Sequence, residues 1–561
     1  MQTLHHFCKT FSNLAQFCHL TRPMSTIYAL SSGRGKCGVA VIRVSGPKSA
    51  EVFSRMTNLK GPPPPRQAVL LSILDPETRT KLDKGLLLWF PAPSSFTGEH
   101  CCELQVHGGL AVISSVLTSL GKLDDFQPAS PGEFTRRAFY ANKLDLTEVE
   151  GLADLIEAET EFQRQQALYQ MEGNLKQLYS CWRDTLARCL AFVEAYIDFS
   201  EDDNIEDNIL QKVDADLKEL SAKIRLHLLD GRKGERLRSG VMTIILGAPN
   251  VGKSSLLNAL CERPAAIVTE VPGTTRDVIE ATLNINGYPV LLADTAGIRR
   301  NTVDIVEKEG ISRTYSSAEK SDFILFLIDA RHFFDSAKSI NNNISDSELL
   351  KLFQKFFGSH VSSLQLDSFF SNSKLGCDGQ DGQLKQLNST EMQLDTESTG
   401  TKYNHNSSAE PTKNHLVILN KLDLLDPKEK LFCHRLSKID KNIVPVSCKT
   451  EENIHHLLSL MTEHLSDLCG NPSQESPVLS QVRHRYHINE CHLALQMFFS
   501  NNTDETIVIG AEYLREAIRS IGRITGHVSS EELLDIIFKQ FCIGKITCKE
   551  GCLILDLLLQ P

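Results

Sequence analysis

The spacing of apolar residues changes character along the chain and predicts three kinds of segment. Between residues 25 and 143, short apolar runs bounded by Gly, Pro and Ser predict the strands of a compact α+β unit. The clearest of these runs are residues 27–30, 39–46, 86–93 and 102–109. This unit, residues 25–143, is the first predicted domain.

Helical periodicity replaces the short runs after this unit. An apolar stripe of helical period runs from Leu152 to Phe199, and Thr147 with Glu150 matches a capping box near its start. A second helical stretch follows, and helical periodicity returns near the C-terminus. The predicted helical domain is therefore discontinuous and comprises residues 144–238 and 470–545.

The interrupting segment, residues 239–469, alternates strand, loop and helix, as a parallel sheet with crossover helices does. Residues 241–247 and 322–330 predict buried strands, and the alternation resumes at His415. The stretch between, residues 331–413, is rich in Ser, Asn, Asp and Gln, which predicts that most of it is a flexible insert. The predicted fold class is multidomain α/β, with an α/β domain inserted into a helical one.

Composition narrows the class of protein. Of the 561 residues, 41% are hydrophobic and 23% are charged, as in a soluble globular protein. No apolar run approaches the roughly 18 residues that span a bilayer. The net charge of -11 gives no general attraction to nucleic acid, so any RNA contact requires a local patch. The 16 cysteines are scattered without zinc-site spacing, which predicts reduced, mostly buried thiols.

The N-terminus has a composition of its own. The first 50 residues contain no Asp or Glu, and residues 1–24 mix Lys9, Arg22 and three His with Phe and Leu at loosely helical spacing. This pattern is typical of a mitochondrial transit segment and predicts a protein of the mitochondrial matrix. A disordered N-terminal extension is the alternative.

One motif in the inserted domain predicts a phosphate site. Residues 247–254 match G-x-x-x-x-G-K-S, follow a β-rich strand and open a helix. In such a loop the backbone N–H groups surround the phosphates and Lys253 reaches the β- and γ-phosphate oxygens. The hydroxyl of Ser254 then ligates Mg²⁺.

Three later motifs, in order, predict that the nucleotide is GTP. Residues 294–297 (DTAG) place Asp294 near the metal and the Gly297 N–H near the γ-phosphate. In 420–423 (NKLD), the Asp423 carboxylate would accept both N1–H and N2–H of guanine, a donor pair that adenine lacks. Residues 447–449 (SCK) close over the base. The expected GTP contacts are Asn250, Val251, Gly252, Lys253, Ser254, Ser255, Thr269, Thr274, Thr275, Asp294, Thr295, Ala296, Gly297, Asn420, Lys421, Asp423, Ser447, Cys448 and Lys449.

The expected hydrolysis departs from the common mechanism. Many GTPases place a water-orienting Gln directly after the DTAG motif, and here that position is Ile298. Another polar group or an external cation must therefore assist. Thr275, in the switch-like loop 269–277, is a candidate Mg²⁺ ligand and γ-phosphate sensor.

Over nearly all of residues 25–545 the chain resembles the MnmE (TrmE) family of tRNA-modifying GTPases, in particular its mitochondrial branch. The motifs that carry the resemblance are residues 31–47, 95–109, 130–156, 272–277 and 541–545. The resemblance implies an N-terminal folate-binding domain, a helical domain, an inserted Ras-like G domain and a homodimer formed through the N-terminal domains.

The resemblance also implies an activity. This is GTP-dependent modification at C5 of the wobble uridine, U34, of the taurinomethyluridine or carboxymethylaminomethyluridine type. The carbon unit would come from 5,10-methylenetetrahydrofolate or 5-formyltetrahydrofolate, and the partners would be tRNA and an FAD-dependent MnmG (GidA)-like protein. The alternative is a regulatory switch in mitochondrial ribosome assembly, in the style of Era, although no basic KH-like unit is visible.

Two groups of site residues are implied by matching motifs. The folate site would use Arg43, Glu103, Lys143 and Lys545, whereas the residues alone would equally predict an Arg43–Glu103 pair on neighbouring strands. Cys542 matches the family's C-terminal cysteine, a candidate for the modification chemistry. A K⁺ ion held by the P-loop and the switch loop would act as an arginine finger does, an effect of about 10³–10⁵ in rate. The matching K⁺ ligands are Asn250, Thr269, Val271 and Thr274.

Two further features are a candidate water-orienting residue and an extended C-terminus. Glu307 matches the glutamate that orients water in the family, with Glu309 as a nearby alternative. Lys253 and Thr275 complete the expected catalytic set. Residues 546–561 extend beyond the usual family end and predict an atypical tail.

Overall fold

The computed structural model describes the following residues: 25–33, 35–199, 209–261, 279–293, 318–336, 344–363, 366, 414–473, 478–503, 505–528 and 537–538. The chain divides into two compact units. The first comprises Met1–Ile156, Leu168–Ser221 and His487–Pro561, and the second comprises Glu157–Ala167 and Ala222–Tyr486.

A six-stranded sheet in the order β3-β4-β5-β2-β1-β6 forms the N-terminal part of the first unit. Its strands are β1 (Thr26–Leu30), β2 (Cys37–Ser45), β3 (Val69–Leu74), β4 (Lys81–Phe90), β5 (Cys101–Gly108) and β6 (Phe126–Pro128). Neighbouring strands are antiparallel except β1 and β6. Two helices, α1 (Glu51–Met56) and α2 (Leu110–Leu120), bury one face, where Ile42, Leu87 and Leu104 form the core. The predicted α+β fold is confirmed.

The other helices described in this unit follow the sheet. In chain order they are α3 (Glu133–Tyr140), α4 (Leu146–Glu157), α5 (Glu161–Met171), α6 (Asn174–Phe199), α7 (Ile209–Leu228), α14 (Val482–Ser500) and α15 (Ile507–Thr525), of which α4, α5, α7 and α14 have residues in both units. The long helix α6 packs along α15. Among the described helices, none is long and apolar enough to cross a bilayer.

The cap of α4 differs from the predicted one. The Glu148 N–H donates to Asp145 Oδ1 (2.9 Å), and the Asp145 N–H donates to Glu148 Oε2 (2.7 Å). The capping box is therefore Asp145 with Glu148, and the predicted pair of Thr147 and Glu150 is wrong. Both pairs have the required spacing, but the helix begins at the buried Leu146, two residues earlier than a cap at Thr147 would allow, so Thr147 lies inside it.

The second unit contains a six-stranded sheet in the order β12-β11-β10-β7-β9-β8. Its strands are β7 (Val241–Leu246), β8 (Ile279–Ile285), β9 (Tyr288–Ala293), β10 (Phe323–Asp329), β11 (Asn414–Asn420) and β12 (Ile443–Pro445). All neighbours are parallel except β8 and β9. Its helices are α8 (Lys233–Ser239), α9 (Lys253–Cys261), α10 (Ala330–Ser336), α11 (Asp346–Ser363), α12 (Pro427–Ile439) and α13 (Ile454–Cys469).

Helices cover both faces of this sheet, as in a doubly wound α/β domain. Apolar residues of α9 and α13 share one core with the sheet, and those of α10, α11 and α12 share the other. The predicted inserted α/β domain is confirmed.

The predicted flexible insert, residues 331–413, is wrong for residues 346–363. These residues form α11, and its Leu349, Phe353 and Phe357 are fully buried. Strands β10 and β11 are parallel neighbours, and such a pair needs a crossover connection, which α11 supplies. The polar composition of the whole stretch concealed four buried apolar residues at helical spacing, the fourth being Val361. Residues 367–413 lie outside the described part of the chain.

Candidate nucleotide-binding site

The phosphate loop lies between β7 and α9, at the carboxyl end of a central strand. In open α/β sheets, ligands bind in the crevice at such a position. Gly247 has φ 147°, and a Cβ there would lie 2.2 Å from the Leu327 carbonyl oxygen of the neighbouring strand. Gly247 is therefore required by both its backbone conformation and the close approach of β10.

Lys253 folds back over this loop. Its Nζ donates to the carbonyl oxygens of Gly247 (2.7 Å) and Ala248 (2.9 Å). Burial lowers the pKa of Lys253 because desolvation disfavours the charged ammonium. A phosphate anion beside the ammonium would offset that cost, as the sequence predicts for this residue.

Asn420, the last residue of β11, connects the phosphate loop to the base-closing loop. Its Nδ2 donates to the Val251 carbonyl oxygen (2.9 Å), and its Oδ1 accepts from the Cys448 N–H (3.1 Å). The side chain is 3% exposed. A Cβ on Gly252, which has φ 105°, would lie 2.3 Å from Asn420 Nδ2, so glycine is needed for this contact.

Asp423 lies on the wall of a cavity of about 510 Å³ next to these loops. Its Oδ1 accepts from the Ser447 hydroxyl (2.7 Å), which holds the carboxylate in place. The lining residues are Gly252, Ser255, Asn258, Ala259, Asn420, Lys421, Asp423, Leu424, Cys448, Lys449 and Glu451. The cavity thus joins residues of the first, third and fourth sequence motifs.

Two neighbours shape the electrostatics of the cavity. Lys421 has φ 69°, and its Nζ pairs with Asp329 Oδ2 at 2.7 Å. Burial, with a smaller contribution from Asp423, raises the pKa of Cys448 to about 11. Cys448 is therefore a neutral thiol near neutral pH, which fits a residue that packs against the nucleobase better than it fits a nucleophile.

Sequence reasoning missed Asp329, Asn258 and Glu451. A signal existed only for Asp329, because it lies near the end of a predicted buried strand; in the structure it is the last residue of β10, as Asn420 is of β11. Asn258 and Glu451 carry no motif. Among the described predicted contacts, Asn250 has φ 61° within the phosphate loop, and Ser254 and Ser255 lie in the first turn of α9.

Several predicted site residues lie outside the described residues. They are Thr269, Val271, Thr274, Thr275, Asp294, Thr295, Ala296, Gly297, Glu307, Cys542 and Lys545. The segments 1–24 and 546–561 lie outside them as well.

In the first unit, the predicted folate residues Arg43 and Glu103 are direct cross-strand partners on β2 and β5. Arg43 Nε and Nη2 donate to Glu103 Oε1 at 3.0 and 2.9 Å. The Arg43 guanidinium carbon lies 5.1 Å from the Phe96 ring centroid and 5.8 Å from that of Phe134. Lys143 packs against the loop that carries Phe96, since a Cβ on Gly98 would lie 3.6 Å from its Cε.

The doubly wound sheet, the phosphate loop and the guanine-type motif around the cavity define a P-loop GTPase. Two family models match the chain: "GTP-binding protein TrmE N-terminus" over residues 26–143, and "MnmE helical domain" over residues 146–542. The chain belongs to the MnmE (TrmE) family, as the resemblance predicted.

Relatives that match nearly the whole chain support the same family assignment. The chain is 45% identical over 533 residues to the mitochondrial 5-taurinomethyluridine-[tRNA] synthase subunit GTPB3 of Danio rerio, covering 94% of this chain and 95% of that protein. It is 41% identical to the Homo sapiens protein of the same name (93% of each chain). It is 39% identical to the tRNA modification GTPase MnmE of Parvibaculum lavamentivorans (93% and 100%). The predicted mitochondrial location is confirmed by the first two relatives.

Proposed function

We propose that this protein is the GTP-hydrolysing subunit of a mitochondrial enzyme that modifies C5 of the wobble uridine, U34, in tRNA. The observation that carries the proposal is the nucleotide site, in which Asn420 joins the phosphate loop to the loop beside Asp423. The chain that carries this site is similar, along nearly its full length, to proteins that are named for tRNA modification. Those names favour this function over the ribosome-assembly switch.

GTP would bind with its phosphates in the loop 247–254 and its base against Asp423. Lys253 would exchange its loop carbonyl partners for phosphate oxygens, and Asp423 would accept the two guanine donors while Ser447 orients it. Ser254 and Thr275 would hold Mg²⁺, and that ion supplies charge neutralisation on the β- and γ-phosphates when bound. Asp294 would lie near the metal.

The base specificity has a direct test. Replacing Asp423 with Asn exchanges an acceptor for a mixed donor and acceptor, so the site should lose guanine and gain xanthine, whose C2 carries an oxygen. Fluorescence-detected competition of GDP and xanthosine diphosphate measures the preference. Unchanged guanine preference in Asp423→Asn would overturn the assignment of the base pocket.

Hydrolysis would be assisted by K⁺, because Ile298 occupies the usual glutamine position. Asn250, Thr269, Val271 and Thr274 would hold the ion, and Glu307 would orient water. The fixed positive charge would stabilise the transition state. GTP turnover should be faster in KCl than in NaCl at equal ionic strength, and Asn250→Ala should abolish the difference. Equal turnover of the unaltered protein in both salts contradicts this step.

The N-terminal domain would bind a one-carbon tetrahydrofolate through Arg43, Glu103, Lys143 and Lys545. The chemistry of these residues fits a folate. The Glu103 carboxylate can accept hydrogen bonds from the donor edge of a pterin, and the ring of Phe96, 37% exposed, offers a stacking surface. The Arg43–Glu103 pair would then serve as a preformed part of the site. Equilibrium binding of a reduced folate to the full chain, with Glu103→Gln as the variant, tests this assignment.

The same domain would form the homodimer. Leu70 and Leu86, direct partners on β3 and β4, are 56% and 37% exposed on the face opposite to the helices. Such a paired apolar surface favours contact with a second copy. We also propose, from the family resemblance, an FAD-dependent MnmG-like partner and a role of Cys542 in the modification chemistry.

Complementation tests the function as a whole. Cells that lack the endogenous activity should regain modified U34 in mitochondrial tRNA, measured by mass spectrometry, when this chain is expressed. A variant without residues 546–561 shows whether the tail interferes. Unmodified U34 together with restored ribosome particles would favour the ribosome-assembly switch instead.

A further inference from the structure

A basic surface occurs in the second unit of this acidic protein, in segments that belong to none of the nucleotide-binding motifs. It consists of residues 222–239, at the end of α7 and in α8, and residues 478–486, at the start of α14; we call it the basic patch. These residues contain eight Lys and Arg against two acids, whereas the whole chain carries a net charge of -11. The excess positive charge is therefore local.

The two segments are held together by one arginine. Arg485 Nη1 donates to the Leu228 carbonyl oxygen (2.8 Å), while Nη2 and Nε pair with Asp230 (2.6 Å) and Glu235 (2.5 Å). The backbones also approach closely, since a Cβ on Gly234 would lie 2.5 Å from the Leu479 carbonyl oxygen. Both acids of the basic patch are thus bound by Arg485.

The outer cations are left facing water. Arg225 and Lys233 are exposed, and the Arg232 side chain is 69% exposed, with Glu235 at 3.8 Å. An exposed pair at that distance contributes little, because water screens it. These three exposed cations are therefore placed where a polyanion can reach them.

The two segments of the basic patch also expose apolar side chains. Leu226, Leu229, Val482 and Tyr486 are 74%, 72%, 71% and 60% exposed. Cations alone would suit any polyanion, but an exposed aromatic ring among them is typical of RNA-binding surfaces, where unstacked bases stack on aromatic side chains.

From this combination we infer that the basic patch binds the tRNA substrate, with Arg225, Arg232 and Lys233 on phosphates and Tyr486 under an unstacked base. The inference rests on the proposed function, because that function makes tRNA the RNA in question. It accounts for how a chain with a net negative charge contacts RNA, which its overall charge opposes.

The test measures binding of an unmodified tRNA transcript to the full-length protein by fluorescence anisotropy over a series of KCl concentrations. The triple variant Arg225→Gln/Arg232→Gln/Lys233→Gln should bind about tenfold or more weakly, and the slope of log K against log salt should fall by about 2. Tyr486→Ala should weaken binding about fivefold or more, and Tyr486→Phe should restore it.

A matched control separates local from global charge. Lys351→Gln/Lys355→Gln/Lys428→Gln removes the same charge from exposed lysines of α11 and α12 in the same unit. It should change tRNA binding less than twofold. GTP turnover should be unchanged in both triple variants, which also shows that they fold.

Equal effects of the two triple variants on tRNA binding overturn the proposal that the basic patch binds tRNA. Tighter binding of the unaltered protein to phosphatidylserine vesicles than to tRNA overturns it as well. A protein that restores U34 modification but does not bind tRNA by itself overturns it too. Failure of the unaltered protein both to bind tRNA and to restore modification would instead refute the proposed function.

Discussion

Replacing Asn420 with Ala would test how the nucleotide site is held together. The 3% exposed side chain makes two hydrogen bonds, to the Val251 carbonyl and from the Cys448 N–H. Truncation leaves both backbone groups without this partner, and a buried group that loses its partner costs about 1–3 kcal/mol. The expected loss is therefore about 2–6 kcal/mol for the two groups.

This loss should appear mainly in nucleotide affinity, because the two bonds fix the loops that flank the ligand. At about 1.4 kcal/mol per tenfold change, GDP binding should weaken by about 30-fold or more. A titration with a fluorescent GDP analogue measures the affinity, and urea unfolding shows how much of the loss falls on stability.

The control is Asn258→Ala, since exposed Asn258 lines the same cavity. It should change the affinity by less than about threefold. If Asn420→Ala binds GDP within threefold of the unaltered protein and unfolds at the same urea concentration, the bonds of Asn420 do not hold the two loops in place.

Three further predictions concern other positions in the second unit. Gly252→Ala should weaken GDP binding more than tenfold in the same titration, because its Cβ would displace Asn420. The control is Gly231→Ala, where φ is positive but the surrounding space is open, and it should cost only about 1 kcal/mol in urea unfolding. Burial lowers the pKa of His227 to about 4, so between pH 6.5 and 4 the unfolded state binds the proton more readily than the folded state does, and stability falls as the pH drops through this range. The loss should be about 2 kcal/mol between pH 7.5 and 5, and His227→Leu should reduce it in urea unfolding at the two pH values. Phe353→Ala should cost about 3–5 kcal/mol in urea unfolding, while Leu352→Ala on the exposed side of α11 should cost less than 1 kcal/mol; equal costs would contradict the role of α11 in the core.

The sequence predicted those parts of the nucleotide site in which neighbouring residues carry the chemistry. Residues 247–254 need only a preceding strand and a following helix, and both are present. The role of Asp423 likewise follows from a short motif at a strand end. The bond from Asn420 to Val251 was not predictable in this way, because it joins residues 169 positions apart.

The errors have a common physical origin. The composition of residues 331–413 is dominated by polar residues, and the four buried apolar residues of α11 contribute little to such an average. The cap of α4 was misplaced because two overlapping pairs share the spacing of a capping box, and only the burial of Leu146 selects between them. In each case the packing of a helix on its neighbours determines the outcome, and local pattern does not record it.

Strand order explains why the site's connecting contacts escape sequence reasoning while its ligand-facing residues do not. In space β11 lies between β10 and β12, so the loop after β11 can contact the residues at the ends of both neighbouring strands. Lys421 pairs with Asp329 at the end of β10, and Asp423 accepts a hydrogen bond from Ser447 after β12. Ligand-facing residues are constrained by GTP, a molecule whose chemistry is known in advance, whereas the connecting residues are constrained by which strands are neighbours. It follows that substitutions at Asp329, which belongs to no nucleotide motif, should alter nucleotide binding through Lys421.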